Sequence, residues 1–321
     1  MNLRKEKPKV IVVGTGGFGK NHVRVLAELG GLGGVCDIDV EKAGAYGRLY
    51  NVPYYSSVSE IPENVYDGAV VSTPTSTHKE VALQLILKNF KYLLIEKPFT
   101  PTLREALEII SQARRERVRL MVGFIERFNP AVKMVKNYVA EGAVGEIIMA
   151  SATRVRRWPE RITDSGVLLD TAIHDIDLMR HVFSEDPLKV YAKMGRSMHR
   201  IHEDYATLIL TFKAEKMAII QANWLTPFKI RSLEVIGSEG VIEADLVSQQ
   251  VTLSSKDDRI TPFSEWSEPL RHELKHFLEC IVNGSNPSPG EEDAVKALEI
   301  VESSFKSSET GNVVNIGTQP F

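Results

Sequence analysis

The stretch that decides the fold is Lys9-Val10-Ile11-Val12-Val13-Gly14-Thr15-Gly16-Gly17-Phe18-Gly19-Lys20. Four apolar strand formers run into G-x-G-x-x-G, and a helical pattern, Lys20–Leu29, follows at once. In that context each glycine has a task. Gly14 permits a tight turn, Gly16 lets backbone approach a pyrophosphate, and Gly19 lets helix and strand pack closely, while the helix start offers unpaired N–H groups to phosphates. Gly17 and Phe18 complete the loop. The reading demands an acidic residue about 20 positions on, at the end of the next strand. Asp37 ends Gly34-Val35-Cys36-Asp37 as required. A carboxylate there accepts the ribose hydroxyls and repels a 2′-phosphate, so the expected cofactor is NAD rather than NADP; Asp39 lies two residues past the strand end and ranks second.

Working outward, short apolar runs at Ala69–Ser72, Tyr92–Ile95 and Leu120–Val122 alternate with helical segments His78–Asn89 and Leu103–Arg117. Fully apolar strands with helices between them imply a parallel sheet covered on both faces, a doubly wound Rossmann domain over residues 1–124. After Phe124 the rhythm changes. Ile147–Arg156, Val190–Lys193, Tyr205–Phe212, Met217–Trp224, Ile230–Ile236 and Gly240–Asp245 follow one another mostly through turns, several with strict alternation. Residues 125–321 therefore read as an α+β domain whose sheet is mainly antiparallel and open on one face, with helices at Leu169–Phe183, Ser267–Asn283 and Glu291–Ser304 as its cover.

Two features follow strand C-terminal ends, the edge where open α/β sheets bind ligands: Thr73-Pro74-Thr75-Ser76-Thr77-His78 and Glu96-Lys97-Pro98. Thr73, Pro74, His78, Glu96 and Lys97 thus join the cofactor candidates. Pro98 disfavours helix at Lys97 and holds it in an extended or turn conformation. Farther on, Asp170 and His174 stand four residues apart, on one face if the stretch is helical. A carboxylate one turn from an imidazole orients the ring and raises its basicity, which suits a general base, while an ammonium at Lys97 would polarise a substrate oxygen. The bland alternatives are a solvated lysine, a helix N-terminal carboxylate and a satisfied helix histidine.

In order and spacing, Gly14–Gly19, Thr73-Pro74 with His78, Glu96-Lys97-Pro98 and Gly166…Asp170…His174 resemble the glucose-fructose oxidoreductase/inositol dehydrogenase (Gfo/Idh/MocA) family over essentially the whole chain. The resemblance implies catalysis by Lys97, Asp170 and His174, and an open sheet packed against another subunit as a homodimer or homotetramer. A glycine-rich start common before the family's aspartate is reduced here to Asp164-Ser165-Gly166. More narrowly, Ile125-Glu126-Arg127-Phe128-Asn129-Pro130, His202-Glu203-Asp204-Tyr205 and Asn223-Trp224-Leu225-Thr226-Pro227 look like the UDP-N-acetylglucosamine 3-dehydrogenases, which oxidise the sugar 3-hydroxyl. Arg127, Asn129, Arg154 and Arg157 are then substrate candidates beside Lys97, Asp170 and His174. The run Arg154, Arg156, Arg157 and Arg161 around Trp158 suits a diphosphate and a uracil, against the alternative of a solvated strand face. A dehydrogenase of a free polyol or sugar, an NAD-assisted glycoside hydrolase and a non-catalytic sensor remain as other readings.

Composition sets the outer limits. A chain of 321 residues with 43% hydrophobic content fills two domains. A net charge of -3 offers no bulk attraction to nucleic acid or anionic membrane, so the expected partner is a small molecule. With no apolar leader the expected location is cytoplasmic. Cys36 and Cys280 stand alone, and the histidines show no ligand spacing, so neither a disulfide framework nor a metal is expected.

Overall fold

The computed structural model describes residues 7–158 and 165–317. The chain divides into two compact units, Met1–Ile125 with Leu270–Val295, and Glu126–Pro269 with Lys296–Phe321.

In the first unit, β1 (Val10–Val13), β2 (Leu32–Cys36), β3 (Tyr54–Tyr55), β4 (Gly68–Val71), β5 (Tyr92–Glu96) and β6 (Arg119–Gly123) form one parallel sheet in the order 3-2-1-4-5-6. Each of β1, β4 and β5 is buried along its whole length, as a sheet covered on both faces requires. The crossovers are α1 (Gly19–Leu29), α2 (Val40–Tyr50), α3 (His78–Leu87) and α4 (Leu103–Glu116). Sheet order reverses between β1 and β4, so the turns leaving these two strands form the topological switch point. Gly14 leaves one and Thr73 the other.

In the second unit, α5 (Pro130–Ala140) precedes β7 (Ile147–Val155), and α6 (Ile173–Phe183) precedes β8 (Lys189–Gly195), β9 (Tyr205–Thr211), β10 (Met217–Asn223), β11 (Ile230–Gly237), β12 (Gly240–Asp245), β13 (Gln250–Ser255) and β14 (Arg259–Ile260). After α7 (Pro269–Asn283) and α8 (Glu291–Thr310), β15 (Val314–Asn315) closes a nine-stranded sheet in the order 14-13-12-11-7-10-9-8-15. Every pairing is antiparallel except β7 with β10. One face buries Ala150, Ala152, Leu208, Leu210, Ile220, Leu233 and Val235 beneath α5 and α6. The other leaves Tyr191 and Tyr205 exposed.

Two expectations are corrected. The helix expected at Ser267–Asn283 does not cover the second sheet: from Leu270 it belongs to the first unit, where Phe277 meets Tyr92 edge-on at 6.4 Å and side chains of α7 fill the space over Gly31 and Gly68. The second domain is therefore not the continuous 125–321. The long helix α8 does back the second sheet, since the Ala192 and Met194 N–H groups donate to the hydroxyls of Ser307 and Ser308. Among the described residues no helix is long and apolar enough to cross a membrane.

The motif turns that follow β4 and β5 in the first unit are clasped by His78. Its Nε2 lies 2.9 Å from the Thr73 carbonyl, and its Nδ1 lies 3.1 and 3.2 Å from those of Pro98 and Phe99. Burial lowers its pKa, and the three carbonyls do not fully offset that. The folded protein thus takes up this proton less readily than the unfolded chain, so the contribution is present above the ordinary value of 6.5 and is lost as pH falls through it. Thermal midpoints measured from pH 7 to pH 5 are expected to decline, and His78→Gln should flatten that decline whatever it does to the midpoint at pH 7.

Candidate active site

In the first unit the glycine loop is shaped by close backbone approach. A Cβ on Gly14, which has φ +89°, would stand 2.6 Å from the Ser72 carbonyl oxygen, and one on Gly19 would stand 1.9 Å from that of Gly14. Above Gly16 and Gly17 the space is open for 4 Å, so the loop forms a cradle that suits a pyrophosphate at the start of α1. Asp37 stands beside it. Its Oδ2 accepts the Thr15 backbone N–H at 2.7 Å and the Thr15 hydroxyl at 2.9 Å, tying the end of β2 to the loop. Asp39 is occupied elsewhere as the cap of α2, accepting the Lys42 N–H at 3.1 Å. Phe18, 40% exposed, lies edge-on against His22.

From Tyr92 to Thr100 every residue is buried except Lys97. Its neighbour Glu96, expected to touch the cofactor, turns inward instead: Oε1 pairs with His22 Nε2 at 2.7 Å, Oε2 accepts the Lys97 N–H at 3.1 Å, and the carboxyl occupies the space over Gly123. Nearby on α7, burial and then the charge of Glu96 push the Glu273 carboxyl well above its usual range. His78, also expected at the cofactor, is buried with both ring nitrogens facing carbonyls. Sequence reasoning missed His22 and Glu273, because nothing in their local pattern distinguishes them from ordinary helix residues.

In the second unit a matching pattern appears at Ser165–Met179, where every residue is buried except Asp170 and His174. The segment starts as a π-helical turn, Leu168–Ala172, and continues as α6. Such turns concentrate at functional sites. Glu203 holds its start: Oε1 accepts the Leu168 N–H at 3.0 Å, and the same carboxyl fills the space that a side chain on Gly166 would need. Asp170 Oδ2 accepts the Thr171 hydroxyl at 3.2 Å and Arg156 Nη2 at 3.3 Å. Thr171 in turn accepts Trp224 Nε1 at 2.9 Å, and the Arg156 guanidinium lies 5.8 Å from the Trp224 ring centre. Trp158 stands edge-on to Trp224.

The expected substrate arginines divide. Arg157 is exposed, and Arg161 and Asp164 lie outside the described residues. Arg154 is only 4% exposed, on the covered face of β7. Its Nε reaches Asp175 Oδ1 and Oδ2 at 3.1 and 2.9 Å, its Nη2 reaches Asp175 Oδ1 at 2.8 Å, and its Nη1 reaches Glu126 Oε1 at 2.7 Å. Arg127 forms a bidentate pair with Asp177 at 2.8 and 2.6 Å. Buried Asn129 caps α5 and donates to Glu126 and the Leu246 carbonyl. These three groups expected at the substrate are thus committed to holding the second unit together; removing one partner of a buried pair typically costs about 3–5 kcal/mol. Burial pushes Glu126 up, but Arg154 and Arg231 together bring it below its usual range, whereas for Asp175 burial prevails and the shift is upward. Among the described residues, Arg156 is the arginine of the run that meets a catalytic candidate. Alternation marks Arg154 as inward, since it shares its strand face with Ala150 and Ala152, the small apolar residues of a covered face, but it does not set Arg154 apart from Arg156, which lies just past the end of the strand.

The NAD-binding Rossmann fold of an oxidoreductase family matches residues 8–124, and the GFO/IDH/MocA C-terminal domain matches residues 132–243. Among curated proteins, scyllo-inositol 2-dehydrogenase (NAD(+)) of Bacillus subtilis is 29% identical over 95% of each chain. UDP-N-acetylglucosamine 3-dehydrogenase of Acidithiobacillus ferrooxidans is 28% identical over 74% of each. A solved structure of the latter enzyme superposes with a TM-score of 0.87 at 23% identity, covering 95% of this chain and 99% of that one, and so shares the fold. An NAD-binding cradle at the switch point, an E-K-P turn buried except for its lysine and the second unit's own domain match together place this chain in the GFO/IDH/MocA family of NAD-dependent oxidoreductases.

Proposed function

We propose that the protein oxidises a ring hydroxyl of a sugar to a ketone, with Lys97, Asp170 and His174 as its catalytic residues. The observation that carries this reading is the exposure pattern: each motif is buried except for the groups the chemistry needs, Lys97 in one and Asp170 and His174 in the other. NAD, held by the glycine loop and Asp37, would supply the acceptor for the hydride of the carbinol carbon. The hydroxyl proton passes to the imidazole of His174, so alcohol and NAD give ketone, reduced cofactor and one proton. Asp170, itself held by Arg156 and Thr171, favours the protonated imidazole through its negative charge. Lys97 stabilises negative charge developing on the substrate oxygen.

For the substrate, UDP-N-acetylglucosamine oxidised at its 3-hydroxyl is favoured by the basic rim at the ends of β7 and β11, where Arg156, Arg157, Lys229 and Arg231 gather beside Trp158 and Trp224. Partial burial and then the Arg231 charge lower the Lys229 pKa, and Glu126 offsets only part of this, so positive charge predominates at this rim. A free cyclic polyol is the second reading. It is favoured by the full-length likeness to the inositol enzyme and by the commitment of Arg127, Asn129 and Arg154 to ion pairs and caps. The apolar residues on the open face of the second sheet support a homodimer or homotetramer, to be checked by light scattering; a monomer at working concentration would remove that part.

Incubation with NAD and either UDP-N-acetylglucosamine or scyllo-inositol, followed by absorbance of the reduced nicotinamide and by product mass, separates the substrates. Lys97→Ala should lower kcat/KM by about 10²–10³ on whichever is used. Arg157→Glu should raise KM tenfold or more, by order of magnitude, for the nucleotide sugar while leaving the polyol within about twofold. Asp37→Ser should raise the preference for NADP relative to NAD by at least about tenfold, because it removes both a ribose acceptor and a charge that repels phosphate. An unchanged cofactor ratio would discard the discriminating role of Asp37.

A further inference from the structure

Arg154, Asp175 and Glu126 sit in the interior of the second unit, each no more than 4% exposed. They join elements distant in sequence. Arg154 lies near the end of β7, Asp175 in the first turn of α6, and Glu126 on the short turn before α5. Glu126 Oε1 also accepts Arg231 Nη1 from β11 at 3.0 Å, and its Oε2 accepts Asn129 at 3.1 Å. The charges balance, two guanidinium groups against two carboxylates, but burying them gains little over an apolar cluster of equal volume. What an ion cluster adds is direction: Arg154 grips Asp175 with two nitrogens in a planar fork, so the carboxylate accepts only a narrow range of orientations.

Asp175 directly follows His174. The residues before them are wound as a π turn, whose spacing leaves the rotation of the following α-helix unfixed by an unbroken α ladder. A rotation of α6 by about 10° would move a side-chain atom at its rim by about 1 Å, and misplacement on that scale is able to cost on the order of 10² in rate. We propose that the Arg154–Asp175–Glu126 cluster sets the rotation of α6 about its axis, and thereby aims His174, making these three positioning residues. The inference rests on the catalytic role given to His174 above.

Asp175→Asn in the full-length protein tests it, since it keeps the shape and one acceptor while giving up the charge. Crystal structures of the wild type and the variant should differ by about 1 Å at the His174 imidazole. With NAD and UDP-N-acetylglucosamine or scyllo-inositol, kcat should fall about tenfold to a hundredfold, KM should stay within about threefold, and the primary deuterium isotope effect on kcat should rise. Asp177→Asn is the control: it breaks the Arg127 pair, whose carboxylate is as buried as that of Asp175, on the same helix and should lower the thermal midpoint without altering kcat or the isotope effect. If Asp175→Asn does not fold, Arg154→Lys, which keeps the charge and loses the fork, replaces it with the same expectations. An unmoved His174 with wild-type kcat, or equal kinetic losses in Asp175→Asn and Asp177→Asn, overturns the inference. Should the wild type oxidise neither compound, the functional reading fails first, and the crystallographic displacement alone still decides the positioning claim.

Discussion

A guanidinium keeps its proton at any ordinary pH, and in the second unit one such group, that of Arg154, is enclosed where water cannot solvate it. That constraint propagates outward. Two carboxylates must be brought to it from different segments, which pins the turn at Glu126 and the first turn of α6 to β7; a second cation, Arg231, must then balance the surplus negative charge. The strand pairing of β7 with β11 sets Arg154 opposite Arg231, so the register of the sheet and the electrostatics of the interior are the same specification. Asn129 extends it to α5 and to the loop after β12.

The first unit was largely readable in advance, because its strands are short and wholly apolar and its motifs stand at strand ends where topology gives them meaning. The two-residue strand β3 was not, nor were two aspects of the unit's helices. The α2 helix turns Ala43, Gly44 and Gly47 inward, so it lacks the large apolar stripe that marks a helix in sequence. The α7 helix has a clear stripe, but a stripe says that a helix is covered and not which sheet covers it. In the second unit the strands β7 to β12 were legible in sequence, whereas their order in the sheet was not, nor was the π turn ahead of α6, whose winding depends on Glu203 and on the Thr171 link to Trp224, both distant in sequence.

The candidate residues sort by the same logic. Lys97, Asp170 and His174 lie in otherwise buried segments and reach the surface singly, an arrangement with no benefit to packing. Glu96 from the same motif as Lys97, and His78, Arg127, Asn129 and Arg154 from the other motifs, face inward, and their work is to hold turns and helices in place. A motif read from sequence mixes the groups that meet a ligand with those that fix the backbone behind them. Burial and partner geometry separate the two.

The return of α7 to the first unit has a consequence for the order in which the protein is made. The face of the first sheet that Phe277, Leu278 and Ile281 cover, around Gly31, Gly68 and Tyr92, stays bare while a ribosome adds the Glu126–Pro269 part of the second unit. The nascent Rossmann strands must therefore wait, partly uncovered, for the last fifth of the chain, and this is the interval in which a chaperone that recognises apolar β-rich surface has most to bind.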